Sequence, residues 1–211
     1  MSAQRDSASV PVSSWRSARL FVTDKFSAPP VILRVDDSVI GTLGNFSAST
    51  GKAKSKKTFN VCAIVAAAMT GVTVLNYSAS LPPERRRILY VDTEQSRFHC
   101  KRVLCRILRL AGLPTDAHPP LLEFLCLRGY ATKERLRKIE EAIYDLDDLG
   151  LVVIDGVRDL AHDINSPGEA TDLITKLMQW TDERRIHIHT VLHLNKGDDN
   201  TRGHLGTELN N

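Results

Sequence analysis

The most constraining feature of the sequence is a stretch of eight residues, 51–58, that lies between a strand-like segment and a long apolar segment of helical character. It matches the pattern G-x-x-x-x-G-K-S/T at Gly51, Lys57 and Thr58, and Lys56 stands where the pattern has its second glycine. A loop of this kind turns its backbone N–H groups inward ahead of a helix N-terminus, which favours bound anions. The stretch therefore predicts a phosphate-binding loop, and the alternative is a solvated lysine-rich loop.

The residue types within this loop predict different roles. Lys57 is expected to reach the β- and γ-phosphates of a nucleotide, and the Thr58 hydroxyl is expected to ligate Mg²⁺. Glycine normally allows close backbone approach at position 56, so Lys56 must project its side chain away from the nucleotide or the loop must take a variant path. The predicted nucleotide-binding residues of the loop are Gly51, Lys52, Ala53, Lys54, Ser55, Lys56, Lys57 and Thr58.

Composition places the chain among ordinary globular proteins with one α/β core, because 42% of its 211 residues are apolar and 25% are charged. The net charge of +3 is too small to indicate nucleic-acid binding by itself. No apolar run has the length of a membrane span, and residues 1–12 lack the order of a secretory signal, so we expect a cytoplasmic protein. The four cysteines contain no C-x-x-C pair and are expected to be reduced thiols.

The arrangement of apolar runs predicts an α/β fold with a mostly parallel central sheet. Residues 1–30 are rich in Ser, Ala and Pro and are interpreted as a flexible arm or linker, and residues 31–211 as the domain. The predicted strands span residues 31–35, 39–42, 45–50, 88–92, 121–127, 151–155 and 186–194. The predicted helices span residues 58–70, closed by Gly71, residues 133–146, with Thr132 as N-cap, and residues 166 to about 184, opened by a Ser166-x-x-Glu169 capping box.

In such a sheet, ligands bind at the carboxyl ends of the strands, where three of the motifs are expected to meet. Asp155 ends a continuous apolar run and fits a Walker B acid that holds Mg²⁺, although a helix N-cap or turn aspartate is the alternative. Glu94 ends another strand and is the candidate for activating water, with a plain surface glutamate as the alternative. Asp92, two residues earlier, is its nearest rival for that role.

The order of these motifs, continued by the segments 193–197 and 201–203, resembles the RecA-like P-loop ATPases. It is most similar to the RepA-type hexameric replicative helicases and the related ATPases of plasmids and mobile elements. The resemblance covers about residues 31–211 and implies a RecA-like core, Mg²⁺-dependent ATP hydrolysis at subunit interfaces, a ring-shaped or filamentous homo-oligomer and single-stranded DNA as partner. Because this family continues with further strands beyond the equivalent of residue 211, a truncated domain is expected.

The same resemblance assigns Lys57, Thr58, Glu94 and Asp155 the roles already predicted for them. It also assigns roles to residues near the end of the chain. His193 and Asn195 fall where the family places a polar sensor of the γ-phosphate. Arg202 resembles the arginine that reaches the nucleotide of a neighbouring subunit, and Lys196 is the alternative. Such an arginine can raise the rate by roughly 10³ or more, because it neutralises charge in the transition state.

Two further groups of residues have two interpretations each. His187, His189 and His193 alternate along one predicted strand and share a face, which suits either a metal site or hydrogen-bonded histidines within the fold. The basic run at residues 85–87 suits either a solvated loop or contacts to a phosphate backbone. The function predicted overall is an ATPase coupled to DNA, and the alternative is a nucleotide-responsive DNA-binding or regulatory module without efficient hydrolysis.

Overall fold

The described part of the chain folds into eight strands and four α-helices. The structure is a computed structural model that describes residues 15–51, 56–162 and 166–193. The strands are β1 (Val31–Val35), β2 (Ser38–Thr42), β3 (Phe46–Gly51), β4 (Tyr77–Ala79), β5 (Arg87–Asp92), β6 (Leu122–Cys126), β7 (Leu149–Asp155) and β8 (His187–His193). The helices are α1 (Lys57–Thr70), α2 (Arg97–Leu110), α3 (Thr132–Asp145) and α4 (Pro167–Arg184). Two short 3₁₀ helices span Trp15–Ala18 and Val157–Leu160.

The centre of the domain is a five-stranded sheet in the order β3-β8-β7-β5-β6, and all of its neighbouring strands are parallel. Every residue of β7 is buried, which explains why its sequence is apolar without interruption. Side chains alternate between the two faces, so that Leu151 and Val153 join one hydrophobic cluster while Val152 and Ile154 join the other. The predicted α/β fold with a parallel central sheet is confirmed.

Helix α1 is covered on several sides, which accounts for its alanine-rich and almost wholly apolar sequence. It packs against α2, against β4 and against the central sheet. Small side chains allow this close approach, and residues 61–69 are all buried. Gly71 adopts φ 70° and its N–H donates to the Ala67 carbonyl, so the predicted C-cap is confirmed.

A small antiparallel sheet in the order β2-β1-β4 covers one end of α1. The hairpin of β1 and β2 agrees with the sequence prediction. Strand β4 was missed because it is only three residues long and lies within a polar segment. It forms through pairing with β1, where Leu33 faces Ala79 and Val35 faces Tyr77, and such long-range pairing leaves no periodic pattern in the sequence.

The helix predictions have mixed outcomes. Helix α2 was not predicted at all, because its apolar residues are interrupted by five basic ones. The predicted N-cap of α3 is wrong: Thr132 is the first helical residue, and Ala131 occupies the cap position without a side-chain hydrogen bond. The start of α4 is confirmed, since Ser166 Oγ accepts a hydrogen bond from the Glu169 N–H at 3.5 Å.

Residues 15–30 precede the first strand and contain one 3₁₀ helix, Trp15–Ala18. The remaining residues of this segment form no helix or strand. Its large exposed apolar side chains are Trp15, Leu20, Phe21, Val22 and Phe26. The proposed division into an arm and a domain at residue 30 stays a prediction. None of the helices in the described ranges combines the length and apolarity that crossing a membrane requires.

Two buried histidines of β8 connect this strand to β3. Ser47 Oγ lies 2.8 Å from His187 Nε2 and 2.8 Å from His189 Nδ1, and Ser49 Oγ lies 2.9 Å from His189 Nε2. His187 Nδ1 lies 2.9 Å from the Thr42 carbonyl. Because a carbonyl only accepts, His187 Nδ1 carries the proton, and the hydrogen bonds then run in one direction from Ser49 through both rings to Thr42.

This network decides between the two interpretations of these histidines. The rings of His187 and His189 are satisfied by protein partners, so the hydrogen-bonded interpretation is confirmed for both. No group of three or more His, Cys, Asp or Glu side chains within the described ranges is arranged to hold a metal ion. The backbone of His193 pairs with Gly51, and its side chain lies outside the described atoms.

The buried histidines make stability depend on pH. Burial lowers the pKa of His187 to about 4, and burial together with the neighbouring His187 lowers the pKa of His189 to about 3. Histidines of an unfolded chain titrate at about pH 6.5, so below that pH the unfolded state binds more protons than the folded state. We expect the free energy of unfolding to be highest above about pH 6.5 and to fall on acidification by about 1.4 kcal/mol per pH unit for each histidine.

Urea titrations across this pH range measure the slope. The variant His187→Gln removes one of the two titrating rings and is expected to flatten the slope by about half. A slope that is the same in both proteins would contradict the assignment.

Candidate active site

The register of the parallel sheet brings the predicted motifs to one edge. Gly51 at the end of β3 pairs with His193, Val191 pairs with Asp155, and Asp155 pairs with Asp92. The end of β3, the start of α1 and the ends of both acidic strands therefore lie at the carboxyl edge of the sheet. This is the edge where parallel α/β sheets bind their ligands.

A buried carboxylate lies at the centre of this edge. Asp155 is 5% exposed, and its Oδ2 accepts hydrogen bonds from Thr58 Oγ1 at 3.1 Å and from the Tyr90 hydroxyl at 2.9 Å. Tyr90 is fully buried and stacks on Phe124 with a ring separation of 4.6 Å. Burial and the charge of Asp155 raise the pKa of Tyr90, which keeps its hydroxyl protonated as a donor. Sequence reasoning missed Tyr90, whose only signal is a polar aromatic residue two positions before Asp92.

Lys57 belongs to the same group of side chains. It is 8% exposed, and its Nζ donates a hydrogen bond to the Gly51 carbonyl at 2.5 Å. Burial lowers the pKa of Lys57, and the negative charges of Asp155 and Glu94 oppose that effect. Lys57, Thr58, Glu94 and Asp155 are therefore brought together, as the sequence predicts, and not placed in separate regions.

The two rival carboxylates of β5 have different surroundings. Asp92 is fully buried, and its Oδ1 accepts hydrogen bonds from the backbone N–H groups of Glu94 at 3.0 Å and Gln95 at 2.7 Å. Its Oδ2 accepts from Gln95 Nε2 at 2.9 Å. Burial raises the pKa of Asp92. Asp92 thus shapes the turn, while Glu94 is exposed to solvent, and this difference favours Glu94 as the candidate catalytic carboxylate.

Gly156 allows the ends of β5 and β7 to meet. It adopts φ +99°, and a Cβ at this position would lie 2.2 Å from Thr93 Oγ1 and 2.8 Å from Glu94 Cγ. Thr93 Oγ1 also lies 2.8 Å from the Gly156 carbonyl, to which it donates. Any other residue at position 156 would displace the turn that holds Glu94. Its sequence signal was the glycine that directly follows Asp155.

Lys56 adopts the left-handed conformation, with φ 60° and ψ 22°. This explains why the loop pattern has a glycine at the same position, because only glycine takes this conformation without a steric cost. A residue with a Cβ loses roughly 1–2 kcal/mol there. Lys56 adopts this glycine-like conformation at the expense of local strain.

The comparison with protein families agrees with this geometry. Residues 16–199 match the family model described as an AAA domain. The chain belongs to this family. The AAA domain family matched here is a P-loop ATPase family related to the RecA-like helicases, so membership implies nucleotide binding and suggests ATPase activity. No curated protein matches the sequence. The particular closeness to RepA-type helicases stays a prediction.

Some predicted site residues of this AAA domain lie outside the described residues, and their roles stay predictions. They are Lys52, Ala53, Lys54, Ser55, Asn195, Lys196 and Arg202.

The basic run at residues 85–87 has largely structural contacts in this AAA domain. Arg87 forms ion pairs with Asp148 at 2.7 Å and with Glu123 at 3.2 Å. Arg85 donates a hydrogen bond to the Arg184 carbonyl at 2.8 Å. Two of the three side chains thus connect the amino end of β5 to neighbouring segments.

The four cysteines of the AAA domain are free thiols, as predicted. Cys100 and Cys126 both donate to the Gln95 carbonyl, with sulfur–oxygen distances of 3.6 and 3.5 Å. These contacts fasten the residue after Glu94 to α2 and β6.

The variant Lys56→Gly tests the strain at the loop. Glycine removes the steric cost of the left-handed conformation and adds some freedom to the unfolded chain, so we expect the free energy of unfolding to rise by about 0.5–1 kcal/mol. The matched control Lys56→Ala removes the same charge but keeps the Cβ, and it is expected to give no such gain. Urea titration measures both, and equal values for the two variants would contradict the assignment of strain.

The variant Tyr90→Phe tests the support of Asp155. Loss of a buried hydrogen bond to a charged group is expected to lower the free energy of unfolding by about 1.5–3 kcal/mol. The control Tyr77→Phe removes a hydroxyl that has no hydrogen bond to the described residues, and we expect a change below about 0.5 kcal/mol. Equal effects of the two substitutions in thermal or urea unfolding would show that Asp155 does not depend on Tyr90.

Proposed function

We propose that this AAA domain binds ATP with Mg²⁺ at the carboxyl edge of its parallel sheet and hydrolyses it. The observation that carries the proposal is the convergence of Lys57, Thr58, Glu94 and Asp155, in which Thr58 and Asp155 are in direct contact and both acidic charges act on Lys57. A cation, a hydroxyl and two carboxylates beside a helix N-terminus form the set of groups that phosphoryl transfer uses.

The residues present suit a hard divalent cation. Thr58 and Asp155 offer a hydroxyl and a carboxylate oxygen 3.1 Å apart, and Mg²⁺ prefers oxygen ligands of this kind. Thr58 and Asp155 would hold the ion, directly or through water. When bound, Mg²⁺ neutralises negative charge on the β- and γ-phosphates. Lys57 adds a second positive charge, and it would exchange its contact with the Gly51 carbonyl for the phosphates.

Glu94 is proposed to orient and polarise the attacking water. The water oxygen forms a bond to the γ-phosphorus, the bond between that phosphorus and the β–γ bridging oxygen breaks, and the proton passes to the Glu94 carboxylate, which leaves ADP and phosphate. Two observations support this role: Glu94 is exposed, and the turn that carries it is held by three hydrogen bonds to Asp92.

The coupling of hydrolysis to DNA is the further part of the proposal. Its support is the resemblance to helicases and ATPases that replicate or mobilise plasmids and mobile elements. By that resemblance the domain acts as a ring of identical subunits on single-stranded DNA. His193 and Asn195 sense the γ-phosphate within a subunit, and Arg202 reaches the nucleotide of its neighbour.

A second candidate is a DNA-binding or regulatory module that responds to nucleotide without efficient hydrolysis. The observation that favours it is the strained Lys56, which departs from the loop pattern at the residue directly before α1. The two candidates differ in one measurement, the release of phosphate. Release that single-stranded DNA accelerates supports the ATPase, and binding of ATP without release supports the regulatory module.

Substitutions of Lys57 and Glu94 should separate binding from turnover. Lys57→Ala removes a charge-assisted contact to the phosphates and is expected to weaken ATP binding by about 100-fold or more. Glu94→Gln keeps the shape of the side chain but cannot accept the proton, so binding is expected to persist while kcat falls by about 10²–10⁴. Fluorescent ATP analogues measure binding, and phosphate release measures turnover.

Exposed residues of α3 supply matched controls for these substitutions. Lys133→Ala and Glu134→Gln make the same chemical changes at exposed side chains on a helix that carries none of the four candidate residues, and they should alter neither binding nor kcat. Full hydrolysis by Glu94→Gln would remove Glu94 from the proposed role, and unchanged ATP binding by Lys57→Ala would remove the loop from nucleotide recognition.

A further inference from the structure

Helix α2 concentrates the positive charge of the chain. It contains Arg97, Lys101, Arg102, Arg106 and Arg109 and no acidic residue. These five charges exceed the net charge of the whole sequence, which is +3. The excess of basic residues is therefore a local property of one helix.

The helices on the opposite face of the sheet differ in this respect. Helix α3 contains four basic and four acidic residues, and α4 contains more acidic than basic ones. Their charges pair, for example Arg137 with Glu141 at 3.1 Å and Lys176 with Glu140 at 3.1 Å. None of the ion pairs formed within the described ranges involves a basic residue of α2.

The basic residues of α2 lie mostly on its exposed side. Phe98, Lys101, Arg102 and Arg109 are exposed and follow helical spacing, and Arg97 precedes Lys101 by one turn. The opposite side of the helix is buried against α1 and β6. We call the side formed by Arg97, Phe98, Lys101, Arg102 and Arg109 the α2 face.

Aromatic rings lie among these charges. Phe98 is 68% exposed and meets the His99 ring edge-on at 5.4 Å. Phe59, in the first turn of the neighbouring α1, is 37% exposed. A polyanion alone gains nothing from an exposed phenyl ring, whereas an unpaired base has a flat face that can stack on it.

We propose that the α2 face binds single-stranded nucleic acid, with its four basic side chains on phosphates and Phe98 stacked on a base. The assignment says where on the domain the DNA of the proposed function binds. Only the link between this binding and hydrolysis rests on the proposed function. Single strands fit better than duplexes, because the bases of a duplex are stacked on each other and leave Phe98 without a partner.

The covalent structure gives this surface a short connection to the candidate active site. Only Gln95 and Ser96 separate Glu94 from the first residue of α2. The thiol of Cys100 in α2 donates to the Gln95 carbonyl, and the Gln95 N–H donates to Asp92. A nucleic-acid strand that binds α2 and shifts this helix therefore also moves the turn that carries Glu94.

The phosphate contacts are tested by the double variant Lys101→Ala/Arg102→Ala. Its binding to a fluorescently labelled single-stranded oligonucleotide is measured without nucleotide at several salt concentrations. Each phosphate contact contributes about 0.7 to the slope of log Kd against log salt, so the slope should fall by about 1.4. The matched control is Lys133→Ala/Arg137→Ala on α3, which removes two exposed charges from the other face and should leave slope and affinity unchanged.

The stacking contact is tested at Phe98. Phe98→Ala is expected to weaken binding by about 10-fold without changing the salt slope, because stacking carries no charge. Phe98→Trp should restore the affinity, whereas Phe98→Leu, which keeps apolar surface but lacks a flat ring, should not. Unfolding midpoints verify that all variants fold. Folding is expected because the side chain of Phe98 is exposed.

Three results would overturn the assignment: equal binding by the α2 and α3 double variants, competition by polyglutamate as strong as by unlabelled oligonucleotide, or duplex binding as tight as single-strand binding. Phosphate release without DNA is measured on the same variants and should stay unchanged, which separates the two proposals. If the α2 variants weaken oligonucleotide binding but the protein releases no phosphate, the ATPase proposal is refuted and the α2 assignment stands. If the protein releases phosphate but the α2 variants bind the oligonucleotide as tightly as the unsubstituted protein, the α2 assignment is refuted and the ATPase proposal stands.

Discussion

The candidate site depends on the burial of one carboxylate. Asp155 is almost removed from water, and a buried charge persists only where hydrogen-bond donors compensate it. Its two hydroxyl donors come from different elements, Thr58 from α1 and Tyr90 from β5. These contacts join the helix after the loop to the two acidic strands. The need to compensate Asp155 therefore fixes the relative positions of the residues that are proposed to hold a nucleotide and its cation.

The second level of organisation is the fit between two strand ends. Gly156 lies directly against Thr93 and Glu94, and Asp92 holds the backbone of the same turn. Neither arrangement supplies a reactive group. Both restrict where Glu94 can lie relative to Asp155, and positioning is the main contribution that a protein makes to phosphoryl transfer. The buried residues around the site thus act by limiting the freedom of the exposed one.

Much of the central sheet could be predicted from sequence, because a strand buried on both faces is apolar throughout, as in β7, and a covered helix is apolar all round, as in α1. The acidic strand ends followed from the rule that parallel strands share one ligand-binding edge. Strand β4 and the Tyr90 hydrogen bond could not be predicted, because both depend on partners distant in the sequence. The cap of α3 differed by one residue, which is the usual uncertainty at helix ends.

Helix α2 could not be predicted for a reason that also bears on function. A helix that serves only packing has apolar residues on one side and mixed charges on the other, as α3 does. Helix α2 instead repels itself with five like charges and relies on the burial of Cys100, Val103 and Ile107 for stability. An uncompensated cost of this kind is common where a surface is used for binding rather than for stability. The five basic residues that hid the helical pattern of α2 in the sequence are thus also what distinguishes the exposed side of α2 from that of α3.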